Sequence, residues 1–352
     1  MFVSSPYPWH YTLRWPFYFT WPSTRNHTKL ERTYDTKQFQ SETNQVVRLL
    51  FCGDIMTLNQ DTIPTLHPEL CALIQSADYF IGNCEAVLGK HPINNQAKYR
   101  FTFHMPRAYL ENIIQQTSLP PSQWLLSTAN NHIGDIDMVA LVENYDLLKV
   151  MGIKALGQYQ AKQYPLYIIE KNNLRIGFAA WTEWMNREIF SANYPGVNRQ
   201  QHVITHHWRE IKAALDIDYL FGLPHWEYEF QHFPHKKTQQ LAKHLIDDLG
   251  MDFIIGSHTH TLQPMEIFKH GLCLYNLGNF AGQGKAWSVK LNTLLEVKLQ
   301  PSTVNPLASY QLHYFFQEHV NNKINIIPLH LAPLKQRNKL INLINKLYIM
   351  NG

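Results

Sequence analysis

Five places along the chain carry oxygen and imidazole donors: Asp54, Glu85 with Asn83, the run Asn130-Asn131-His132, His225, and the pair His258 and His260. Carboxylate, amide and imidazole groups together suit a divalent cation, and the number of donors suits two cations with a carboxylate bridging them. None of the four cysteines (52, 71, 84, 273) joins the pattern, which argues against a purely structural zinc site. Each piece alone is weak. With 19 histidines in 352 residues one His-x-His is expected by chance. A single Asp after a strand is as readily a helix cap. Asn130-Asn131 alone reads equally well as a loop in left-handed backbone. The force lies in the conjunction and in where each piece falls.

Each piece follows a short apolar run of strand length: VVRLLFCG (46–53), ADYFIGN (77–83), WLLSTAN (124–130), DYLFGL (218–223) and MDFIIGS (251–257). In open α/β sheets the ligand site lies beyond the carboxyl ends of the strands, which is where these donors stand. Helical patterns at 138–150, 200–215 and 236–249 alternate with the strands, and 165–182 reads as a hairpin around Lys171-Asn172-Asn173. Beyond 262 the texture is strand-like. A last amphipathic helix is expected at 335–350, with Leu340, Ile341, Ile344, Leu347 and Tyr348 on one face. The fold class expected is α/β, in layers, with added β-structure.

Composition narrows the classes. Apolar residues make up 45% and charged residues 16%, which excludes a disordered chain. The net charge of +4, from 31 basic and 27 acidic residues, is too small to argue for nucleic acid. Four scattered cysteines make no disulfide framework and point to a reducing compartment. Residues 1–22 hold nine aromatics, four prolines and Arg14, so neither a signal peptide nor a spanning helix is expected, and the prolines argue against any helix there. The segment reads as an extension whose rings pack on the core, or as an arm for a membrane surface or a partner. Residues 23–45 read as a polar linker.

The chain resembles the CapA family of capsule (poly-γ-glutamate) synthesis, a branch of the calcineurin-like metallophosphoesterases. The matching pieces are GDIM (53–56), IGNCEAVL (81–88), FTFHMP (101–106), STANNHIGDID (127–137), GQYQAKQYP (157–165), HWEYEF (225–230), the run 239–268 with its HTHTLQP, and YNLGNF (275–280). They cover about residues 46–285. The resemblance implies a four-layer α/β/β/α sandwich over 46–300, preceded by an extension and linker (1–45) and followed by a C-terminal strand and helix (301–352) packed on the core. It implies two divalent cations, for which a mixed nitrogen and oxygen shell prefers Mn, Fe or Zn to Mg. Asp54 would hold the first, Glu85 would bridge, and Asn131, His225 and His258 would hold the second, with His260 returning to the first. His132 would donate the proton or orient phosphate, oriented in turn by Asp135. Asn83, Asn130, Glu229 and Asn279 would support the ligands or face the substrate.

The function this implies is hydrolysis of a phosphoester or a related acidic substrate, small or polymeric. The alternative is a non-catalytic accessory protein of acidic-polymer synthesis with a structural or degraded metal site. Two departures bear on the choice. Met56 stands where many metallophosphoesterases have a second histidine, which removes one imidazole from the first metal. Glu227 stands where the branch has Gly, and its charge is expected to narrow the pocket or repel an anion. No nucleic-acid partner and no transmembrane segment are expected, and the location expected is the cytoplasm.

Overall fold

The computed structural model describes residues 7–38, 45–57, 63–89, 102–190, 196–282, 284–301, 309–320 and 323–350. Two sheets face each other across an apolar core. The first runs Tyr167–Lys171, Leu174–Thr182, Tyr219–His225, Phe253–Ile255, Leu272–Leu274, Met265–Ile267. Its four middle strands are parallel. The second is ten-stranded among the described residues, and its parallel part is Val47–Ile55, Tyr79–Cys84, Trp124–Ser127 and Lys154–Leu156. The long strands Leu291–Leu299, Ser309–Val320 and Lys323–Pro328 extend that same sheet antiparallel on the other side of Val47–Ile55.

Burial shows why the layers hold. Phe51 from the second sheet stacks on Phe221 of the first at 5.1 Å, and Phe221 stacks in turn on Phe178 and Phe253 at 5.5 and 4.5 Å. Each buried phenylalanine is worth about 1.5–3 kcal/mol of transfer free energy. The outer face of the second sheet is covered by helices Pro68–Gln75 and Arg107–Thr117, and that of the first by Trp208–Ala214 and Lys236–Lys243. The layering is therefore α/β/β/α. Helix Leu334–Leu347 turns Leu340, Leu343, Ile344 and Leu347 into the inter-sheet core, as its periodicity predicts.

Local expectations fare unevenly. Met138–Val150 is a helix, and the hairpin turns through Asn172 and Asn173, both at positive φ (51° and 63°). The helix expected at 200–215 is two, Gln200–Ile204 and Trp208–Ala214, because the Trp208 indole takes the Val203 carbonyl at 3.0 Å. All four cysteines are free.

The largest departure is at the N-terminus, where Trp9–Thr20 is a helix with Pro16 inside it. An interior proline costs a helix about 3 kcal/mol or more. Here one face of the helix packs on the body: Tyr11 on Tyr228, and Trp15 and Phe19 on Phe230. Tertiary burial outweighs the missing backbone bond. The opposite face leaves Trp9, Leu13 and Phe17 exposed. Residues 23–38, expected as linker, are stitched to the body: Ser23 bridges Gln231, Thr33–Tyr34 pairs with Tyr348–Ile349, and Thr36–Lys37 pairs with Ser309–Val320. Among the described residues no helix is long and apolar enough to cross a membrane.

Candidate metal centre

Parallel strands in both sheets point their carboxyl ends at one spot. Register places Asp54 beside Asn83 on one side and Asn279 on the other. Bringing the 277–280 turn that close requires glycine at 53, where a Cβ would meet the Gly278 carbonyl oxygen at 1.7 Å. Across the cleft His225 ends its strand next to Ser257, and His258 and His260 follow. Both hold left-handed backbone (φ 101° and 56°), strain of about 1–3 kcal/mol each of a kind that clusters at functional sites.

Two donor groups result. Glu85, His225 and His258 form one, and Asp54, Glu85 and His260 the other, each with its ligand atoms within 4.8 Å of one another. Glu85 belongs to both. In the first group His225 Nε2 lies 3.0 Å from His258 Nδ1, 2.8 Å from Asn131 Oδ1 and 3.3 Å from Glu85 Oε1. In the second, His260 Nδ1 lies 3.5 Å from Asp54 Oδ2 and 3.8 Å from Glu85 Oε2, and Asn279 Oδ1 meets the same nitrogen at 3.0 Å. Among the described residues nothing donates a hydrogen bond to either oxygen of Glu85, although the residue is wholly buried.

The electrostatics suit a cation. Burial first, then the Asp54 charge, pushes Glu85 well above the usual carboxylate range. Burial and the neighbouring imidazoles push His225 and His258 well below the ordinary histidine value, so they stand as neutral donors. Burial also pulls at His260, yet the hydrogen bond and charge of Asp54 leave it raised. A cation bound among these groups would relieve the two carboxylates and use the neutral nitrogens.

The other residues singled out by sequence gather around this pair of groups. Asn83 donates to Asp54 Oδ1 at 2.7 Å and meets His225 Nδ1 at 3.1 Å. Asn130 donates to the Cys84 carbonyl at 2.7 Å and accepts from the His132 amide at 3.1 Å. His132 Nδ1 meets Asp135 Oδ2 at 2.7 Å, and its Nε2 stands 4.0 Å from Glu85 Oε1. Glu229 Oε1 lies 3.8 Å from His260 Nε2. Of the FTFHMP piece, Phe101 falls outside the described residues.

Of the two departures weighed from sequence, Met56 leaves the group of Asp54 and Glu85 with His260 as its one imidazole, and Glu227 turns out otherwise. Met56 is buried in the core beneath the second sheet, with its methyl group toward Gly282. Glu227 does not confront a substrate: buried, it pairs with the His235 ring and accepts from the backbone N–H groups of Tyr228 and His235 at 3.0 and 2.9 Å. Its φ of 76° is left-handed backbone of the kind that favours glycine. His232 is buried with its Nδ1 on the Leu262 carbonyl at 2.8 Å, and burial pushes it down to about 4.

Sequence reasoning missed four residues. Phe103 lies flat on the His132 ring, centroids 3.7 Å apart. Asn186 approaches the same ring, and its Oδ1 accepts from Asn131 Nδ2 at 3.2 Å. Trp184 packs edge-on against His258 at 4.8 Å, and Tyr7 reaches His258 Nε2 at 3.0 Å. Trp184 and Asn186 follow the strand Leu174–Thr182, so the strand-end rule already applied to five strands would have found them on a sixth. Nothing local marks Tyr7.

Comparison with known proteins follows the same residues. The model of the family described as bacterial capsule synthesis protein PGA_cap matches residues 48–283, more than half of the chain. The chain belongs to this family. Among relatives in this capsule synthesis family, the capsule biosynthesis protein CapA of Bacillus anthracis is 22% identical over 72% of the chain. The PGA biosynthesis protein CapA of Bacillus subtilis (strain 168) is 24% identical over 70% of it. The alignments span 64% and 66% of those relatives, just under two thirds of their length. Among solved structures, a 5'-nucleotidase precursor from Thermus thermophilus is 14% identical with a TM-score of 0.44, over 85% of this chain and 58% of its own. The calcineurin-like phosphoesterase YfkN from Bacillus subtilis is 13% identical with a TM-score of 0.40, over 86% and 98%.

Proposed function

We propose that this member of the capsule synthesis family is a metal-dependent hydrolase of a phosphoester or a related acidic substrate. It would hold two divalent cations on Asp54, Glu85, Asn131, His225, His258 and His260. The observation that carries the reading is Glu85, shared by both donor groups, buried, and among the described residues accepting no hydrogen bond at either oxygen. When bound, the cations supply positive charge to phosphoryl oxygens and lower the pKa of an attacking water. Asn83 and Asn279 hold Asp54 and His260 in place. Asp135 accepts the Nδ1 proton of His132, which leaves Nε2 facing the site to pass a proton to the leaving group. The Phe103 ring keeps the imidazole plane from turning. The relatives' names suggest capsule polymer as the acidic substrate's setting.

A second reading, an accessory protein with a structural metal site, is favoured by one observation: none of the six proposed ligands is more than 4% exposed. One experiment separates the two. The chain is loaded with Mn²⁺ or Zn²⁺, its metal counted by mass spectrometry, and turnover followed on p-nitrophenyl phosphate and its diester. The hydrolase reading expects two metals per chain, and a kcat about 10²–10⁴-fold lower in His132→Ala with the metals retained. Equal turnover in wild type and variant removes His132 from the chemistry. Two metals without turnover on either substrate favours the accessory reading.

A further inference from the structure

The burial of the metal centre draws attention to what closes it. Over His258 and Glu229 lies the N-terminal segment. The Tyr7 hydroxyl meets His258 Nε2 at 3.0 Å, and the Tyr7 ring packs edge-on against Trp184 at 5.5 Å and Tyr228 at 5.2 Å. One helical turn on, Tyr11 donates its hydroxyl to the Glu229 carbonyl and accepts from Gln231 Nε2 at 3.2 Å. Another turn on, the Trp15 indole donates to the Glu229 carboxylate. Tyr7, just ahead of the helix, and Tyr11 and Trp15 on one stripe of it thus aim three polar-tipped rings at one rim of the site.

The geometry at His258 is specific. Its Nδ1 faces His225 Nε2 at 3.0 Å, on the side of the donor group with Glu85, so Nε2 is the nitrogen left over. A histidine that gives one ring nitrogen to a metal carries its proton on the other and is oriented by whatever accepts that proton. Here the acceptor is a tyrosine from more than 200 positions away in the chain.

We propose that the N-terminal helix is a wall of the metal centre, and that Tyr7 is a positioning residue for His258. The inference rests on the metal centre proposed above. The helix orients the ligand that belongs to the Glu85–His225–His258 group and covers the way in, so cations and substrate pass when it lifts. Lifting breaks no strand pairing: among the described residues the helix pairs with no strand, and the bridge from Ser23 to Gln231 lies beyond its last turn, so what holds it down is the packing of Tyr11, Trp15 and Phe19.

The test uses the full chain and three variants. In Tyr7→Phe the ring stays and the acceptor goes. Titration with Mn²⁺ or Zn²⁺ against a chelating indicator should show one of the two sites weakened about 10–100-fold while the other, built on Asp54 and His260, keeps its affinity. In Trp15→Ala the helix loses its anchor on Glu229, and release of bound metal into excess EDTA, followed by stopped flow, should speed up about tenfold or more. Trp15→Phe, which keeps the ring and drops only the N–H, guards against a general packing defect and should fall between. Unchanged or equally weakened sites in Tyr7→Phe overturn the positioning role, and an unchanged release rate in Trp15→Ala overturns the wall. Failure of wild type to take up metal strikes the metal centre itself, and is seen before any variant is made.

Discussion

Asp54 and Glu85 meet at the bottom of the site, and among the described residues their ion-pair partners are all histidines. Burial, then the Asp54 charge, holds Glu85 well above the usual carboxylate range, so keeping it ionised there carries a cost. That cost is what a bound divalent ion would offset. Beside them His132 is a different kind of residue, held on Nδ1 by Asp135, whose same oxygen also accepts the Phe103 amide at 2.8 Å. The aspartate thereby fixes both the imidazole and the ring stacked on it. Asp135→Asn keeps the shape but can present its amide N–H to Nδ1, which favours the wrong tautomer. We expect kcat to fall about 10–100-fold with the metal count per chain unchanged. A kcat within about twofold of wild type would show that Asp135 serves the loop rather than the proton.

At the scale of elements, the strand Leu291–Leu299 shows how the enlarged sheet is held together. Its Glu296 takes Arg48 Nε at 2.6 Å from the strand on one side and His313 Nε2 at 2.8 Å from the strand on the other. Partial burial works to raise this carboxylate, yet the bonds from His313 and Arg48 leave it lowered to about 2. A carboxylate depressed by folding stabilises the fold above its unfolded value, and that contribution is lost as pH falls from there through about 2. The thermal midpoint of wild type should therefore exceed that of Glu296→Gln at neutral pH, and the gap should close on acidification within that window. A gap that stays constant down to about pH 2 would mean the triad adds no pH-dependent stability. The same scale explains what was legible in sequence. Asp54, Asn83, Glu85, Asn130, Asn131, His132, His225, His258 and His260 stand within a few residues of their strand ends, so local pattern finds them. Tyr7 and Trp15 reach the site across separations of 251 and 214 residues, and Pro16 actively misleads, because only tertiary burial makes Trp9–Thr20 a helix. Glu227 misled in the opposite way: its charge suggested a substrate contact, whereas its buried pairing with His235 is a contact no single sequence displays.

For the whole molecule, the site is a place where the two sheets are joined by polar groups. Asp54, Glu85 and Asn131 come from the ends of the ten-stranded sheet, and His225, His258 and His260 from the six-stranded one. Cations held between them would act as staples across the sandwich, whose halves also meet in the apolar core around Phe51 and Phe221. A ligand that binds only the folded state stabilises it by about 4 kcal/mol at roughly 1,000 times its Kd. For a chain of this size that is a rise in Tm on the order of 5–10 °C. The rise should survive in His132→Ala, which leaves every proposed ligand in place, and nearly vanish in Glu85→Gln, which removes the carboxylate common to both groups. Calorimetry with and without Mn²⁺ on the three proteins reads this directly. An equal rise in all three would put the cation somewhere other than the seam, and no rise in wild type would remove the metal from the seam altogether.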